Sequence, residues 1–129
     1  MLAIREKTGA RLMSRRGNDL SAYFPEIVAC LRQLPNLVLD GELVVLDDQG
    51  KPQFERLRRR ALLKKSTSVE RAARSDPAVM FAFDILSLRG KDVRKLALLK
   101  RKDLAQEGGE LRCLRTVRRS YRVAGRRFA

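Results

Sequence analysis

Two apolar runs of ten residues each constrain what this chain can become: Leu37 to Leu46, LVLDGELVVL, and Val79 to Leu88, VMFAFDILSL. Branched and aromatic residues at that density read as strands with a buried face. After the first run comes Asp47-Asp48-Gln49-Gly50, turn material leading into a hairpin return through Lys51-Pro52. One feature of that run does not belong in a strand. Asp40-Gly41-Glu42 sets two carboxylates around a glycine, and all three are poor strand formers. Carboxylates are rarely buried without a partner. Either the strand bulges at Gly41 and the acids face water, or they face a cationic or hydroxyl-bearing ligand.

The remaining segments supply helices and shorter strands. Leu2 to Ile4 and Ala10 to Ser14 flank the turn Glu6-Lys7-Thr8-Gly9 and predict a hairpin, followed by a polar loop over residues 15–19. Phe24, Ile27, Val28, Leu31 and Leu34 keep helical spacing, so a helix is expected over 24–34, with Pro25 in its first turn and Pro35 as its stop. Cys30 lies near that stripe and is assigned to packing. Gln53 to Lys65 predicts a second helix, apolar at Phe54, Leu57 and Ala61 and basic at Arg56, Arg58, Arg59, Arg60, Lys64 and Lys65. Its basic side reads equally as a solvated face or as a DNA contact. Ser66 to Asp76 reads as a polar connection, Arg89-Gly90-Lys91-Asp92 as a turn, and Leu98 to Gln106 as a third helix. There is no internal repeat. Strands and helices without regular βαβ alternation predict an α+β fold, mainly antiparallel strands with flanking helices.

Composition narrows the chemistry. The 129 residues suffice for one domain, and 44% hydrophobic content argues against disorder. No apolar run reaches the roughly 18 residues of a membrane span. Cys30 and Cys113 stand far apart, in no metal-like spacing, so a reduced, cytoplasmic protein is expected. The chain has no histidine, which excludes Ser-His-Asp and Cys-His catalysis and every His-ligated metal site. Carboxylates, lysine and arginine are left to do any chemistry. A net charge of +14 favours a polyanionic partner. Half of that excess sits in residues 111–129, which hold seven arginines and no acid. There Leu111, Leu114, Val117 and Tyr121 keep a loose helical spacing, and Cys113 is assigned no role.

Four segments stand in a telling order: Ser14-Arg15-Arg16-Gly17-Asn18-Asp19, Phe24-Pro25-Glu26, Asp40-Gly41-Glu42-Leu43-Val44 and Phe81-Ala82-Phe83-Asp84-Ile85-Leu86. Gly50-Lys51-Pro52-Gln53-Phe54 follows the hairpin. Each is weak alone. Together they resemble the adenylation domain of ATP-dependent DNA ligases, especially the bacterial end-joining type, over residues 1–105. The resemblance implies a partial nucleotidyltransferase (ATP-grasp-like) fold, ATP and Mg2+ as cofactors, and DNA as substrate. It also implies a cytoplasmic, nucleoid-associated repair protein with a Ku-like protein as candidate partner and no membrane. In that family a lysine in K-x-D-G-x-R attacks the α-phosphate of ATP and carries AMP to the 5′-phosphate of a DNA nick, which the 3′-hydroxyl then closes.

By the same resemblance Glu42 accepts a hydrogen bond from the adenylate ribose, a role suited to an acceptor-only carboxylate. Phe83 stacks on adenine, and Arg15 contacts the phosphate of AMP or of the nicked strand. Arg16 and Asp40 are candidates for further pocket or DNA-phosphate contacts, and Gly41 would let the backbone bend. Asp84 is assigned to structure. No catalytic residue or metal ligand is assigned, because the sequence lacks K-x-D-G-x-R. Lys7-Thr8-Gly9-Ala10-Arg11 has no aspartate, and the family lysine belongs just upstream of Ala3-Ile4. The later E-G-x-V-x-K motif, the final lysine-containing strand and the oligonucleotide-binding domain are absent as well. The expectation is a partial adenylation domain over 1–106, then an Arg-rich tail over 107–129 foreign to the family, inactive by itself. A start placed too late, an interrupted gene or a decayed remnant would each produce this. The competing class is a non-catalytic basic module that binds nucleic acid through charge.

Overall fold

The short strands at the start of the chain pair first with each other and then with the long ones. The computed structural model describes residues 1–107, 113–116, 121–123 and 126–128. Leu2–Glu6 (β1) and Gly9–Met13 (β2) form the expected antiparallel hairpin. The two apolar runs become Leu37–Val45 (β3) and Ala78–Leu88 (β4), antiparallel neighbours, with β1 on the far side of β3. Lys91–Asp92 (β5) folds back on the end of β4, and Leu114–Thr116 (β6) runs parallel to its start. The sheet order is thus β2-β1-β3-β4, with β5 and β6 sharing the outer edge of β4. Tyr121–Val123 (β7) and Arg126–Phe128 (β8) pair only with each other among the described residues.

Among the described residues four α-helices accompany the sheet: Pro25–Leu31 (α1), Phe54–Ala61 (α2), Ser66–Ser75 (α3) and Leu98–Glu107 (α4). The apolar stripe of α1, Ile27 and Leu31 with Leu34 beyond it, packs with Ala3, Leu12, Leu39, Leu43, Met80 and Ile85 into the main core. These positions alternate along the strands, so every second side chain of β3 enters that core.

Several expectations need correction. The helix expected over 24–34 stops at Leu31, and a tightened turn with Leu34 N–H on the Leu31 carbonyl (3.0 Å) still buries Leu34. The helix expected over 53–65 is only Phe54–Ala61. The supposed polar connection at 66–76 is the helix α3. It buries one apolar anchor, Val69, too little to create a visible period. The supposed turn at 89–92 is a two-residue turn plus a strand. Arg89 (φ 50°) and Gly90 (φ 80°) both take left-handed backbone, the hairpin geometry that lets Leu88 pair with Lys91.

The tail departs furthest from expectation. Instead of a loose helix, residues 114–116 make β6, with Leu114 in the core at 2% exposure and the Cys113 carbonyl accepting from Met80 N–H at 2.8 Å. Cys113 is joined to Cys30 in a disulfide with Cα atoms 6.4 Å apart. Cys113 thus takes a structural place against the core, beside Cys30, where no role was expected for it. Eighty-three residues separate them, and the parallel docking of β6 beside α1 is what brings them together.

Arg60 is the second correction with structural weight. The expected surface arginine is buried at 2% exposure. Its guanidinium forks onto Glu26, Nη1 to Oε2 at 2.5 Å and Nη2 to Oε1 at 2.9 Å. It also donates to the carbonyls of Tyr23 (2.8 Å) and Asp76 (2.9 Å) and stands 4.9 Å over the Phe24 ring. Glu26 in turn accepts Ala78 N–H at 3.0 Å. One ion pair thereby ties α1, α2 and the start of β4 together.

The hairpin after β3 is organised by Asp47. Its Oδ1 accepts from Lys51 N–H and Gln49 N–H at 2.9 Å each, and its Oδ2 from Gln53 Nε2 at 3.0 Å. The Lys51 backbone bond, foremost, holds this carboxyl below its ordinary value. A folded-state pKa below the unfolded one contributes stability that is present above the usual carboxylate range. That stability is lost as pH falls through the lowered value. Asp47→Ala is therefore expected to lower the melting temperature near neutral pH, with the gap to the parent chain shrinking on acidification. A gap independent of pH would refute the role of the ionised carboxylate.

Candidate functional site

The anomaly at Asp40-Gly41-Glu42 resolves into a feature of β4. Leu39 pairs with Ile85 and Asp40 with Asp84, but Gly41 pairs with Ala82, so Phe83 is an extra residue in β4 with no partner position in β3. A bulge of this kind re-aims a side chain and leaves ladder groups to be satisfied otherwise. Here the Asp84 carboxylate accepts Ile85 N–H at 2.8 Å. The same oxygen lies 3.3 Å from Arg101 Nε of α4, an ion pair short of aligned hydrogen-bond geometry.

Alternation along the strands sorts the faces. Leu37, Leu39, Leu43 and Val45 enter the main core, so Val38, Asp40, Glu42 and Val44 project from the opposite side of β3. On that side Val44, 1% exposed, packs with Leu46, Val79, Phe81 and Phe83. Glu42 pairs in register with Phe81. The structure thus brings Glu42 and Phe83 onto one sheet face with an apolar floor. Gly41 stands at the register irregularity between Asp40 and Gly41, where a bend was expected. It supplies room: a Cβ there would run into the Phe81 carbonyl oxygen and stand 2.8 Å from Met80 Cε.

Asp40 lies 3.6 Å from the Met1 ammonium, on the same face as Glu42. Arg15 and Arg16 occupy an exposed turn after β2. That turn is closed by Gly17 N–H on the Ser14 carbonyl (2.9 Å) and Asn18 N–H on Ser14 Oγ (3.0 Å). Leu2 pairs with both Met13 and Asp40, so the turn leaves the sheet at the end toward which Glu42 lies. Arg101 had no signal in the sequence, standing among other basic residues of α4. A cavity of about 750 Å3 adjoins this face at the hairpin end, lined by Leu46, Asp47, Arg74, Val79, Cys113 and Arg115. Glu42 and Phe83 are not among its walls. Among the described residues no trio of Cys, Asp or Glu side chains could hold a metal ion, and no helix is long and apolar enough to cross a membrane.

The family model described as "ATP dependent DNA ligase domain" matches residues 2–108. This chain belongs to that family. The ligase-domain chain is 37% identical over 108 residues to the bifunctional non-homologous end joining protein LigD of Bacillus subtilis, covering 78% of itself and 18% of that relative. It is 36% identical over 93 residues to DNA ligase C of Mycobacterium tuberculosis, covering 70% of itself and 25% of that protein. Its fold matches the structure of mycobacterial DNA ligase D complexed with ATP and MES, with a TM-score of 0.63 at 30% identity, over 82% of this chain and 32% of that one. The chain therefore spans about a fifth of the length of the curated relatives it matches. The α+β, mainly antiparallel fold expected from sequence is the ligase-domain fold in part.

Proposed function

We propose that the Glu42–Phe83 face is the adenylate-binding surface of an ATP-dependent DNA ligase domain of the end-joining type. The observation that carries this reading is the register of β3 on β4, in which Glu42 stands opposite Phe81 and Phe83 lies two positions further along the same face. It sets an aromatic ring beside an acceptor-only carboxylate on a shared apolar floor. An adenine nucleoside presents the complementary pattern, a flat base and ribose hydroxyl donors. Phe83 stacks on the base, and Glu42 accepts from the ribose. Arg15, exposed at the same end of the sheet, meets a phosphate of AMP or of DNA, and Arg16 supports it. Asp40 shapes the pocket floor through a cation. Mg2+ would be carried by the nucleotide's phosphates, whose charge it would offset.

Residues 1–106 form a partial ligase adenylation domain. Residues 107–129 extend it with an Arg-rich segment whose strand β6 joins the same sheet. The substrate is DNA, met through the charge of +14, in a cytoplasmic, nucleoid-associated setting with a Ku-like protein as partner. These 129 residues contain no K-x-D-G-x-R lysine, so the polypeptide alone binds adenylate without forming lysyl-AMP.

Equilibrium binding with ATP and GTP tests this. The chain is expected to prefer ATP, Phe83→Ala is expected to lose that preference, and α-labelled ATP is expected to leave no covalent, acid-stable adduct. Equal, salt-sensitive binding of both nucleotides and of DNA would replace this reading with charge-only nucleic-acid binding. A covalent adduct would overturn the inactivity.

A further inference from the structure

We infer that Cys30 and Cys113 form a redox-operated latch, closed by oxidation, that holds β6 on the edge of β4. They are the two cysteines of the chain, and Cys113 lies beyond the residues 2–108 matched by the family model. Their Cα atoms are 6.4 Å apart, within the span of a disulfide, although 83 residues separate them in sequence. In the cytoplasmic setting proposed above, thiols are kept reduced, and a disulfide there is typically a transient switch rather than a permanent staple. That setting rests on the proposed function; the geometry of the latch and its test do not.

The latch governs a strand with few holds of its own. β6 pairs only Leu114–Thr116 with Met80 to Ala82, along one edge. Its anchors are the Leu114 side chain, 2% exposed in the core, and the Cys113 carbonyl, which accepts Met80 N–H at 2.8 Å. A short segment that must be ordered to dock gains from a covalent tie, because the tie raises its effective concentration at the edge. Linkage makes the gain mutual: docked β6 favours the closed disulfide by the same factor as the disulfide favours docking. The two sulfurs differ in access. Cys30 is 5% exposed in α1, whereas Cys113 is half-buried and stands with Arg115 on the wall of the cavity of about 750 Å3. A small thiol therefore enters at Cys113. Its thiolate attacks Cys113 Sγ, the Sγ–Sγ bond breaks, and Cys30 leaves as a thiolate that takes up a proton. A second thiol then displaces Cys113 from the mixed disulfide, so the protein keeps two thiols and the reagent departs as its own disulfide. Oxidation runs the same steps backwards, the small disulfide taking two electrons and leaving as two thiols. Opening uncovers Met80 N–H and removes Cys113 and Arg115 from the cavity wall.

Hydrogen exchange in the full chain, poised with mixtures of reduced and oxidised glutathione, tests the latch. The mass after alkylation of free thiols gives the fraction closed at each poise. Closing is expected to slow exchange of Met80 N–H by about tenfold or more, while amides of the β1–β3 ladder change little. Cys113→Ser is expected to exchange like the reduced parent at every poise. Leu114→Ala weakens docking without touching a sulfur, and linkage is expected to shift its thiol–disulfide balance toward thiols by about tenfold or more. Cysteines that stay unpaired in an excess of oxidised glutathione would overturn the inference. So would equal Met80 exchange in the open and closed chains, Met80 protection that survives in Cys113→Ser, or a Leu114→Ala balance identical to the parent's.

Discussion

Arg60→Ala is expected to destabilise the protein by about 3–5 kcal/mol, the range for breaking a buried ion pair on one side. The arginine is the only charged side chain counted as fully buried among the described residues, and its removal abandons several groups at once. Glu26 would keep its bond from Ala78 N–H but lose both guanidinium donors. The carbonyls of Tyr23 and Asp76 would lose theirs. The Phe24 ring would lose its cation. Against a typical total stability of about 5–15 kcal/mol, such a loss leaves the variant largely unfolded under mild denaturant. Arg60→Lys should rescue little, because an ammonium cannot fork onto a carboxylate and reach two carbonyls. Urea titration followed by circular dichroism decides it. A loss below about 1 kcal/mol, the scale of exposed pairs, would show that the pair behaves as surface charge.

Gly41→Ala is expected to cost about 1–3 kcal/mol or more, and to do so at the centre of the sheet. The added methyl meets the Phe81 carbonyl, and backbone cannot swing aside as a side-chain tip can. Met80 Cε at 2.8 Å and Ala82 Cα at 3.0 Å close the other directions. β3 and β4 must part by several tenths of an ångström or the register must change. Either response moves Glu42 relative to Phe83. The variant should therefore lose both stability and nucleotide preference, whereas an added methyl at Gly50, where open space surrounds the Cβ position, would meet only the backbone penalty of its positive φ. A Gly41→Ala chain as stable as the parent would mean that the strands stand further apart there.

What the sequence disclosed follows from where information is local. β3 and β4 were legible because ten consecutive residues report their burial, and α1 because Phe24, Ile27, Val28 and Leu31 lie on one stripe. α3 was not, since a helix anchored by Val69 alone leaves no period to read. Arg60 does carry a signal in the sequence. It stands three residues after Leu57, which packs against the core, and hence on the inward side of α2. Its partner Glu26 lies thirty-four residues away and could not be inferred from spacing. Of the candidate site, the identities of Glu42, Phe83 and Asp40 were legible, but not how they meet. A register shift depends on the pairing of two strands, and no single run of residues encodes it. Arg15 and Arg16 lie in an exposed turn, where packing imposes no pattern.

The outer edge of β4 is finished by two strands of very different origin. β5 arrives immediately, through a two-residue turn, while β6 comes from more than twenty residues further along. A chain emerging from its N-terminus can assemble β1 to β5 and α1 as soon as Asp92 has appeared. Met80 to Ala82 must then wait with bare backbone groups until Leu114 to Thr116 arrive to cover them. During that interval the molecule offers a ready template to any neighbouring strand, including that of another copy. Yield of soluble protein should therefore depend on how quickly the last segment docks, and crowded synthesis should penalise this chain more than its finished stability would suggest.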